Sequence, residues 1–222
     1  MFSGAVDLTF EETDAARDGF RGFALAAIVR QPAEVKALHV AALDGGAAEV
    51  KAPKKQLFGE FTATCTSPDG VPWKLAAESK KDKGPASVPP QPTETALYLG
   101  VASPKASAGF YTQLGMTTEH DYGDTFTDFA IAPGRHRLGL LTRAALAKDL
   151  GTSDAGADGT AGLWLVHVAD SPQDVDELVS RAAGAGATDT GTEVDDLGGR
   201  TGTFTDADGY RWRVICRAGP KP

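Results

Sequence analysis

The stretch TSPDGVPWKLA, residues 66–76, returns near the other end of the chain as TDADGYRWRVI, residues 205–215. In both copies a tryptophan follows Asp-Gly by three residues, and a cation follows the tryptophan, Lys74 in the first copy and Arg213 in the second. Asp-Gly between two apolar segments is typical of a tight β-hairpin turn. The two copies therefore predict two hairpins of the same design.

The similarity extends upstream of both hairpins. FALAAIVRQPAEVKAL, residues 23–38, resembles LWLVHVADSPQDVDEL, residues 163–178. Val29 and Val168 match at a separation of 139 residues, as the two tryptophans do, and the prolines that follow match at 140. Similarity over this length is typical of a repeated supersecondary unit.

Each copy contains the same series of predicted elements. The apolar runs ALAAIV and LWLVHV have the length of strands. Pro32 and Pro172 each precede a carboxylate by two residues, which is typical of the first turn of a helix, and glycines end both helices. The strands predicted after the helices cover residues 48–53, 58–66 and 72–77, then 188–194, 200–205 and 210–217. The two units, residues 22–79 and 161–218, are therefore βαβββ.

A third and weaker copy lies between them. TALYLGVAS predicts a strand, PKASAGFYTQLGM predicts a short helix, and three strands are expected between there and residue 142. The preceding stretch SKKDKGPASVPPQPTET contains four prolines, which favours a semi-extended linker. We therefore expect one incomplete unit in residues 1–79, a linker over 80–94 and a complete two-unit domain in 95–222.

Three phrases carry a family resemblance: SPxxVxxL after a strand, GAGA at a helix end and TDxDGYxW at a hairpin. They are similar to phrases of the glyoxalase, bleomycin-resistance and extradiol-dioxygenase proteins, the vicinal-oxygen-chelate superfamily. The resemblance covers most of residues 22–218 and is strongest over 95–217. It implies an α+β fold in which two βαβββ units pair into an open, U-shaped, eight-stranded β-barrel with helices outside. The ligand of such a protein lies in the concave cleft.

The N-terminal unit is unusual, because the resemblance implies that units come in pairs. Its lead, MFSGAVDLTFEET, is a candidate for one or two strands of a missing half. A solitary four-stranded sheet would leave one edge and one face exposed, which is unfavourable. We therefore expect a homodimer in which two N-terminal units complete one barrel, with pairing to the chain's own C-terminal domain as the alternative.

Many members of the superfamily hold a divalent metal by histidine and glutamate side chains on the first and last strands of each unit. Carboxylate and imidazole ligands suit several such metals. Here the corresponding positions carry side chains that do not ligate a metal: Ala24, Ala96, Leu163, Lys74 and Arg213. We therefore expect no cofactor at the usual place. An atypical site of His167 with Asp128 or His136 stays open.

Alternation along the strands predicts which side chains face the cleft. The predicted ligand-binding residues are Tyr98, Leu163, Leu165, His167, Arg211 and Arg213. Trp164 and Trp212 are expected to pack behind the sheet. Arg213 offers a two-pronged donor for a carboxylate, phosphate or enolate oxygen, or else it pairs with a carboxylate such as Asp128 and closes the sheet.

Composition excludes several classes of function. The formal charge is −8 and the pI about 5.0, whereas a general nucleic-acid binder needs a basic surface. No apolar run approaches the roughly 20 residues that cross a bilayer, and the N-terminus lacks a signal-peptide pattern. Cys65 and Cys216 are expected to be buried reduced thiols. We therefore expect a cytoplasmic protein that binds neither nucleic acid nor membrane.

The sequence leaves two main functional hypotheses. In the first, the protein binds a small organic molecule in the cleft without a metal, and its negative surface helps to attract a cationic one. In the second, it is a glyoxalase-like lyase or isomerase, or a dioxygenase, either metal-free or with an atypical metal site. A metal-free enzyme would use His167 as base and Arg213 or Tyr98 to stabilise oxyanion charge. A third alternative is a structural or interaction role.

Overall fold

The elements of the chain follow one another in three βαβββ series. A computed structural model describes residues 7–10, 20–56, 60–130, 136–154, 163–195 and 198–217. Of the lead MFSGAVDLTFEET only residues 7–10 are described. Residues 155–162, which precede the last unit, lie outside the described residues, as does the start of the strand predicted at 58–66.

The bounds of the elements confirm an α+β fold of repeated βαβββ units. The first strand and the N-terminal series are β1 (Asp7–Phe10), β2 (Phe23–Val29), α1 (Pro32–Asp44), β3 (Ala48–Lys55), β4 (Phe61–Thr66) and β5 (Pro72–Ala77). The central series and the helix after it are β6 (Glu94–Val101), α2 (Pro104–Gln113), β7 (Thr118–Asp121), β8 (Phe126–Phe129), β9 (Arg137–Thr142) and α3 (Arg143–Leu150). The C-terminal series is β10 (Leu163–Val168), α4 (Pro172–Gly184), β11 (Thr188–Val194), β12 (Arg200–Thr205) and β13 (Arg211–Cys216). No helix among the described residues is long and apolar enough to cross a membrane.

The two Asp-Gly turns have the same backbone geometry. The N–H of Ser67 donates to the carbonyl of Val71 at 2.9 Å, and in the second copy the N–H of Asp206 donates to the carbonyl of Tyr210 at 3.0 Å. The turn glycines have φ values of 80° and 86°, in the left-handed region that favours glycine. The prediction of two hairpins of one design is confirmed.

The described residues form two compact lobes. The C-terminal lobe comprises β1, the described part of 101–142 and the chain from β10 onward, whereas the N-terminal lobe comprises 20–100 and α3. This division differs from the boundaries expected from the sequence, because β6 and α3 group with the N-terminal lobe. The domain boundaries at 1–79, 80–94 and 95–222 stay a prediction.

In the N-terminal lobe the strand order is β3-β4-β5-β2-β6. β2 runs parallel to β5 and antiparallel to β6. α1 covers one face of this sheet, where Val35 packs against Ala27, Val29, Ala63 and Leu75. The edge of β2 is therefore paired by β6 within the chain. This pairing removes one reason for a homodimer, whereas the homodimer and the alternative pairing with the C-terminal domain both stay predictions.

The stretch predicted as a semi-extended linker is bound to the first turn of α1. The side chain of Gln31 accepts from the N–H of Lys83 at 2.7 Å and donates to the carbonyl of Gly84 at 3.0 Å. Glu34 accepts from the N–H of Ser87 at 3.2 Å and from its hydroxyl at 2.8 Å. Residues 83–87 thus form a strap across the start of the helix.

In the C-terminal lobe one sheet has the order β1-β10-β13-β12-β11. β10 runs parallel to β13, as β2 does to β5, and the β12–β13 hairpin carries β11 at its outer edge. β1 pairs antiparallel with β10. The N-terminal lead therefore supplies one strand, as predicted, but adds it to the C-terminal series.

Candidate functional site

α4 covers one face of the C-terminal sheet. Trp212 and Val214 lie on this face, because a Cβ atom on Gly202, the partner of Val214, would come within 2.4 Å of Val179 on α4. The alternating side chains point to the opposite face, which we call the arginine face. Its central residues are Trp164, Val166, Thr203, Thr205, Arg211 and Arg213.

Two guanidinium groups share one indole ring on the arginine face. Cζ of Arg213 lies 4.4 Å from the centroid of the Trp164 ring, and Cζ of Arg211 lies 4.6 Å from it. These distances are within the range of cation–π attraction. All three side chains are half-buried. The ring therefore helps to fix two planar groups whose N–H donors suit a carboxylate or phosphate.

Further donors surround the arginines. The indole Nε1 of Trp164 is buried and has no hydrogen-bond acceptor among the residues that the structure describes. Leaving a buried donor without an acceptor costs about 1–3 kcal/mol, so a ligand oxygen at this place would remove a cost. Thr203 and Thr205 lie beside Arg213 and Arg211 in the sheet and are half-buried as well. The arginine face is thus rich in donors.

β10 presents the opposite set of side chains from the predicted one. In the parallel register Leu165 lies beside Trp212 and His167 lies beside Val214, on the face that α4 covers. Leu163 and Leu165 are fully buried, and His167 exposes 6% of its surface. The predicted placement of these three β10 residues on the same face as the arginines is therefore wrong. Trp164, which was expected behind the sheet, lies on the arginine face instead.

The reason is a one-residue error in matching the repeats. β2 and β5 pair Leu25 with Trp73, whereas β10 and β13 pair Leu165 with Trp212. The first strands therefore match at a separation of 140 residues, not 139. A slip of one residue moves every side chain of a strand to the other face of the sheet.

The positions implied for a metal do not fit one. With the corrected register, the counterpart of Ala24 on β10 is Trp164 rather than Leu163. The last strands carry Lys74 and Arg213, which are cationic at neutral pH. Methyl, indole and cationic side chains do not supply the nitrogen, oxygen or sulfur lone pairs that hold a divalent ion.

Tyr98 lies in the N-terminal lobe, on the sheet face opposite α1. Ala24 is its partner across the strands, and Ala96 lies two residues before it on the same face. Lys74 shares this face, and its Nζ lies 2.7 Å from a carboxylate oxygen of Asp149 on α3. Tyr98 and the two predicted arginines thus belong to different lobes.

A polar cluster on β7, β8 and β9 was missed by sequence reasoning. Among the described residues, Glu119, His120 and Asp128 bring possible metal-ligand atoms within 4.8 Å of one another. Nδ1 of His120 lies 3.0 Å from Asp128, and Arg137 donates to Glu119 and lies 3.4 Å from Asp128. The hydrogen bond from Arg137 lowers the pKa of Glu119. The guanidinium of Arg137 offsets part of the negative charge of the two carboxylates, and Asp128, the suggested partner of Arg213, is bound here instead.

A buried tyrosine–carboxylate pair connects α2 to the second hairpin, and sequence reasoning missed it too. The hydroxyl of Tyr111 donates to Oδ2 of Asp206, and both side chains are buried. Burial, reinforced by the charge of Asp208, raises the pKa of Asp206 to about 6. Burial also raises the pKa of Tyr111. Ser67 stands at the same place in the first hairpin, so the turn itself does not require a carboxylate. This difference between the two hairpins was the sequence feature that could have singled out Asp206.

Two solved structures share the fold of this chain. Glyoxalase I from Zea mays is 15% identical, over 89% of this chain and 68% of that one, with a TM-score of 0.59. A putative dioxygenase from Bacillus subtilis is 14% identical, over 97% of this chain and 66% of that one, with a TM-score of 0.57. At these identities the likeness concerns the fold. A comparison with curated proteins gave no match.

The family itself is shown by a sequence model. The model described as Glyoxalase/Bleomycin resistance protein/Dioxygenase superfamily matches residues 94–214. This match covers more than half of the chain and spans the central and C-terminal βαβββ series, including the arginine face. The chain belongs to the glyoxalase/bleomycin resistance protein/dioxygenase superfamily.

Proposed function

We propose that the protein binds a small organic molecule through a carboxylate or another anionic group, on the arginine face and without a divalent metal. The observation that supports this is the pair of guanidinium groups against Trp164. Arg213 stands where superfamily relatives place a metal ligand, so a fixed cation takes the place of the ion. Charge-assisted hydrogen bonds from arginine are about twice as strong as neutral ones.

An anionic ligand replaces the cationic one that the net charge suggested. The formal charge of −8 belongs to the whole chain, whereas Arg211 and Arg213 set the potential at the arginine face. Fields of nearby fixed charges dominate a partly buried site, because screening by water and salt is weaker there. We therefore favour local over net charge as the guide to the ligand.

Binding without catalysis is favoured over the enzyme hypotheses. A metal-free lyase or isomerase needs a general base within hydrogen-bonding reach of its substrate. His167, the predicted base, lies beneath α4 instead. A dioxygenase would need a metal at positions that do not fit one. The metal-free enzyme hypothesis thus loses its named base, and the dioxygenase hypothesis loses its expected metal positions.

The experiment uses the fluorescence of Trp164 as a local reporter. Phenylacetate and phenylphosphonate are titrated into the full chain, with benzyl alcohol as the neutral analogue. The variant Trp164→Phe gives the fluorescence of Trp73 and Trp212 alone, so the change that belongs to Trp164 can be obtained by difference. We expect the two anions to bind more tightly than the alcohol. Arg213→Gln should weaken them roughly 10–100-fold, the range for hydrogen bonds to charged groups.

The matched control is Arg181→Gln, which removes an arginine from the exposed surface of α4. Affinity for the anions should stay unchanged in this variant. Equal affinity for benzyl alcohol, or a loss that Arg181→Gln reproduces, would refute the anion site.

Three sequence-based expectations remain predictions: the open U-shaped barrel, the homodimer through the N-terminal unit and the cytoplasmic location. Sedimentation equilibrium tests the second. A mass of two chains is expected for the homodimer, and a mass of one chain would rule it out.

A further inference from the structure

A second candidate site lies in the C-terminal lobe, between α2 and the turn of the β12–β13 hairpin. A cavity of about 730 Å³ opens there. This volume is within the range of roughly 300–1,000 Å³ that is usual for small-molecule sites. Phe110 and Tyr111 on α2 line it on one side, and Asp206 and Asp208 of the hairpin line it on the other.

Three carboxylates line this cavity, and uncharged donors hold them in place. Asp208 accepts from the N–H of Ala102 at 2.7 Å and from the hydroxyl of Ser107 at 2.6 Å. Asp124 accepts from the hydroxyl of Ser103 at 2.9 Å. Within the described part of the chain, no lysine, arginine or histidine forms an ion pair with these carboxylates.

The carboxylates are fixed, so the cavity concentrates negative charge on a rigid wall. Asp206 exposes only 6% of its surface, and its pKa is raised first by burial and further by the charge of Asp208. Crowding of like charges is relieved by a bound cation. Lys105 is the one basic residue in the lining, and it is exposed on α2.

The aromatic side of the cavity suits the apolar part of a ligand whose cationic group faces the carboxylates. The rings of Phe110 and Tyr111 contact each other edge-on, with centroids 5.3 Å apart, and Phe110 also contacts Phe204. Aromatic faces attract both apolar groups and cations. A ligand with an ammonium group and an apolar body would therefore match both sides of the cavity.

We propose that this cavity binds an organic cation, a primary or quaternary amine on an aromatic or alkyl body. The ammonium group lies toward the accessible carboxylates of Asp124 and Asp208, with the charge of the buried Asp206 nearby, and the body lies against the half-buried ring of Phe110. This site is separate from the arginine face in both location and charge, so it does not rest on the anion site proposed above.

The test is calorimetric titration of benzylammonium into the full chain, with benzyl alcohol as the neutral analogue of the same shape. We expect saturable binding of benzylammonium and at least roughly tenfold weaker binding of the alcohol. Asp124→Asn should weaken benzylammonium several-fold, because it removes one charge while its amide oxygen still accepts from Ser103. Asp170→Asn removes an equal charge from an exposed position in the same lobe and should have no effect.

A graded pair of variants tests the cavity itself. A Cβ atom on Gly109, a lining residue of α2, would meet no heavy atom within 4 Å. Gly109→Ala and Gly109→Leu both favour the helix, but only the leucine side chain is long enough to obstruct part of the cavity. We expect Gly109→Leu to weaken binding clearly and Gly109→Ala to reduce it slightly, with neither lowering the melting temperature.

Three results would overturn the proposal. These are no saturable binding of benzylammonium below about 10 mM, equal affinity for benzyl alcohol, and full affinity in Gly109→Leu. Loss of benzylammonium binding in Asp170→Asn to the same degree as in Asp124→Asn would show that net charge alone attracts the cation.

Discussion

Asp206 stabilises the second hairpin turn at an electrostatic cost. Its Oδ1 accepts from the N–H groups of Asp208 at 3.0 Å and Tyr210 at 2.9 Å, and its Oδ2 accepts from Tyr111. These bonds lower the pKa, but burial outweighs them and raises it from 3.8 to about 6. A shift of this size corresponds to about 3 kcal/mol against the ionised form at neutral pH.

Asp206→Asn should therefore change the pH dependence of stability. A raised carboxyl pKa means that the folded state binds the proton more strongly between about pH 4 and 6, so this group's contribution to stability falls as pH rises through that range. The variant lacks this fall. We expect the free energy of unfolding of the variant relative to the native chain to rise by up to about 3 kcal/mol between about pH 4 and 7.5, measured by urea denaturation.

Subtracting the unfolding free energy of the native chain from that of Asp206→Asn cancels the contributions of the other carboxylates. Glu34, Glu119 and Asp174 have lowered pKa values and act in the opposite direction, but they are present in both chains. A relative stability that stays constant across the pH range would contradict the role given to Asp206.

At the scale of elements, α4 packs on β12 through a glycine. A Cβ atom on Gly202 would lie 2.4 Å from Cγ2 of Val179 and 2.9 Å from Cγ1 of Val175. Valine side chains in a helix are confined to one main rotamer, so they cannot turn away. Gly202→Val should therefore force α4 away from the sheet and lower the free energy of unfolding by about 1–3 kcal/mol.

The matched control for this prediction is Gly191→Ala on the neighbouring strand. There the nearest heavy atom to an added Cβ is Oγ1 of Thr203 at 3.8 Å, an ordinary contact. Chemical denaturation should show little change for this variant. Equal stability of Gly202→Val and Gly191→Ala would mean that the helix does not need the glycine.

A buried carboxylate holds the Ser87 end of the strap across α1. Burial raises the pKa of Glu34, but hydrogen bonds from Ser87 and Arg30 outweigh it and leave the pKa below its usual value of 4.5. A lowered pKa means that its stabilising contribution is present above about pH 4.5 and is lost as pH falls further. Residues 83–87 should therefore stay bound to the helix at neutral pH.

Glu34→Ala should loosen the strap at Ser87, while the hydrogen bonds of Gln31 to Lys83 and Gly84 remain. We expect the free energy of unfolding to fall by about 2 kcal/mol or more, since charged hydrogen bonds are lost and donors are left unpaired. Limited trypsin digestion should cut faster after Lys80, Lys81 or Lys83, which are all exposed on or next to the strap. Asp44→Ala, at the exposed end of the same helix, is the control, and equal cleavage in both variants would count against the strap.

At the scale of the whole molecule, local signals predicted the order of elements and long-range ones were missed. Asp-Gly turns and prolines at helix starts are short patterns with direct physical causes, so the hairpins and helices could be located. The side chains of β10 could not be assigned to the correct faces of the sheet, because LWLVHV is apolar on both sides and alternation shows no polar face. The pairing of Tyr111 with Asp206 joins residues 95 positions apart, which no local pattern reveals.

The candidate site was predicted only in part. Arg211 and Arg213 were placed on one face because β13 alternates clearly between arginine and apolar residues. Trp164 was assigned to the other face, so its contact with both guanidinium groups was missed. One extra residue between two matched segments reverses the side chains that a strand presents to each face of the sheet, while the order of helices and strands stays the same.

The central proposal, an anion site that works without a metal, has one decisive measurement. Phenylacetate is titrated into the full chain in excess EDTA, and again after EDTA is removed and Mn²⁺, Ni²⁺ or Zn²⁺ is added. We expect the same Kd within roughly twofold in every condition, and a weaker Kd in Arg213→Gln throughout. Binding that appears only with a metal, together with an equimolar metal retained through gel filtration, would contradict it.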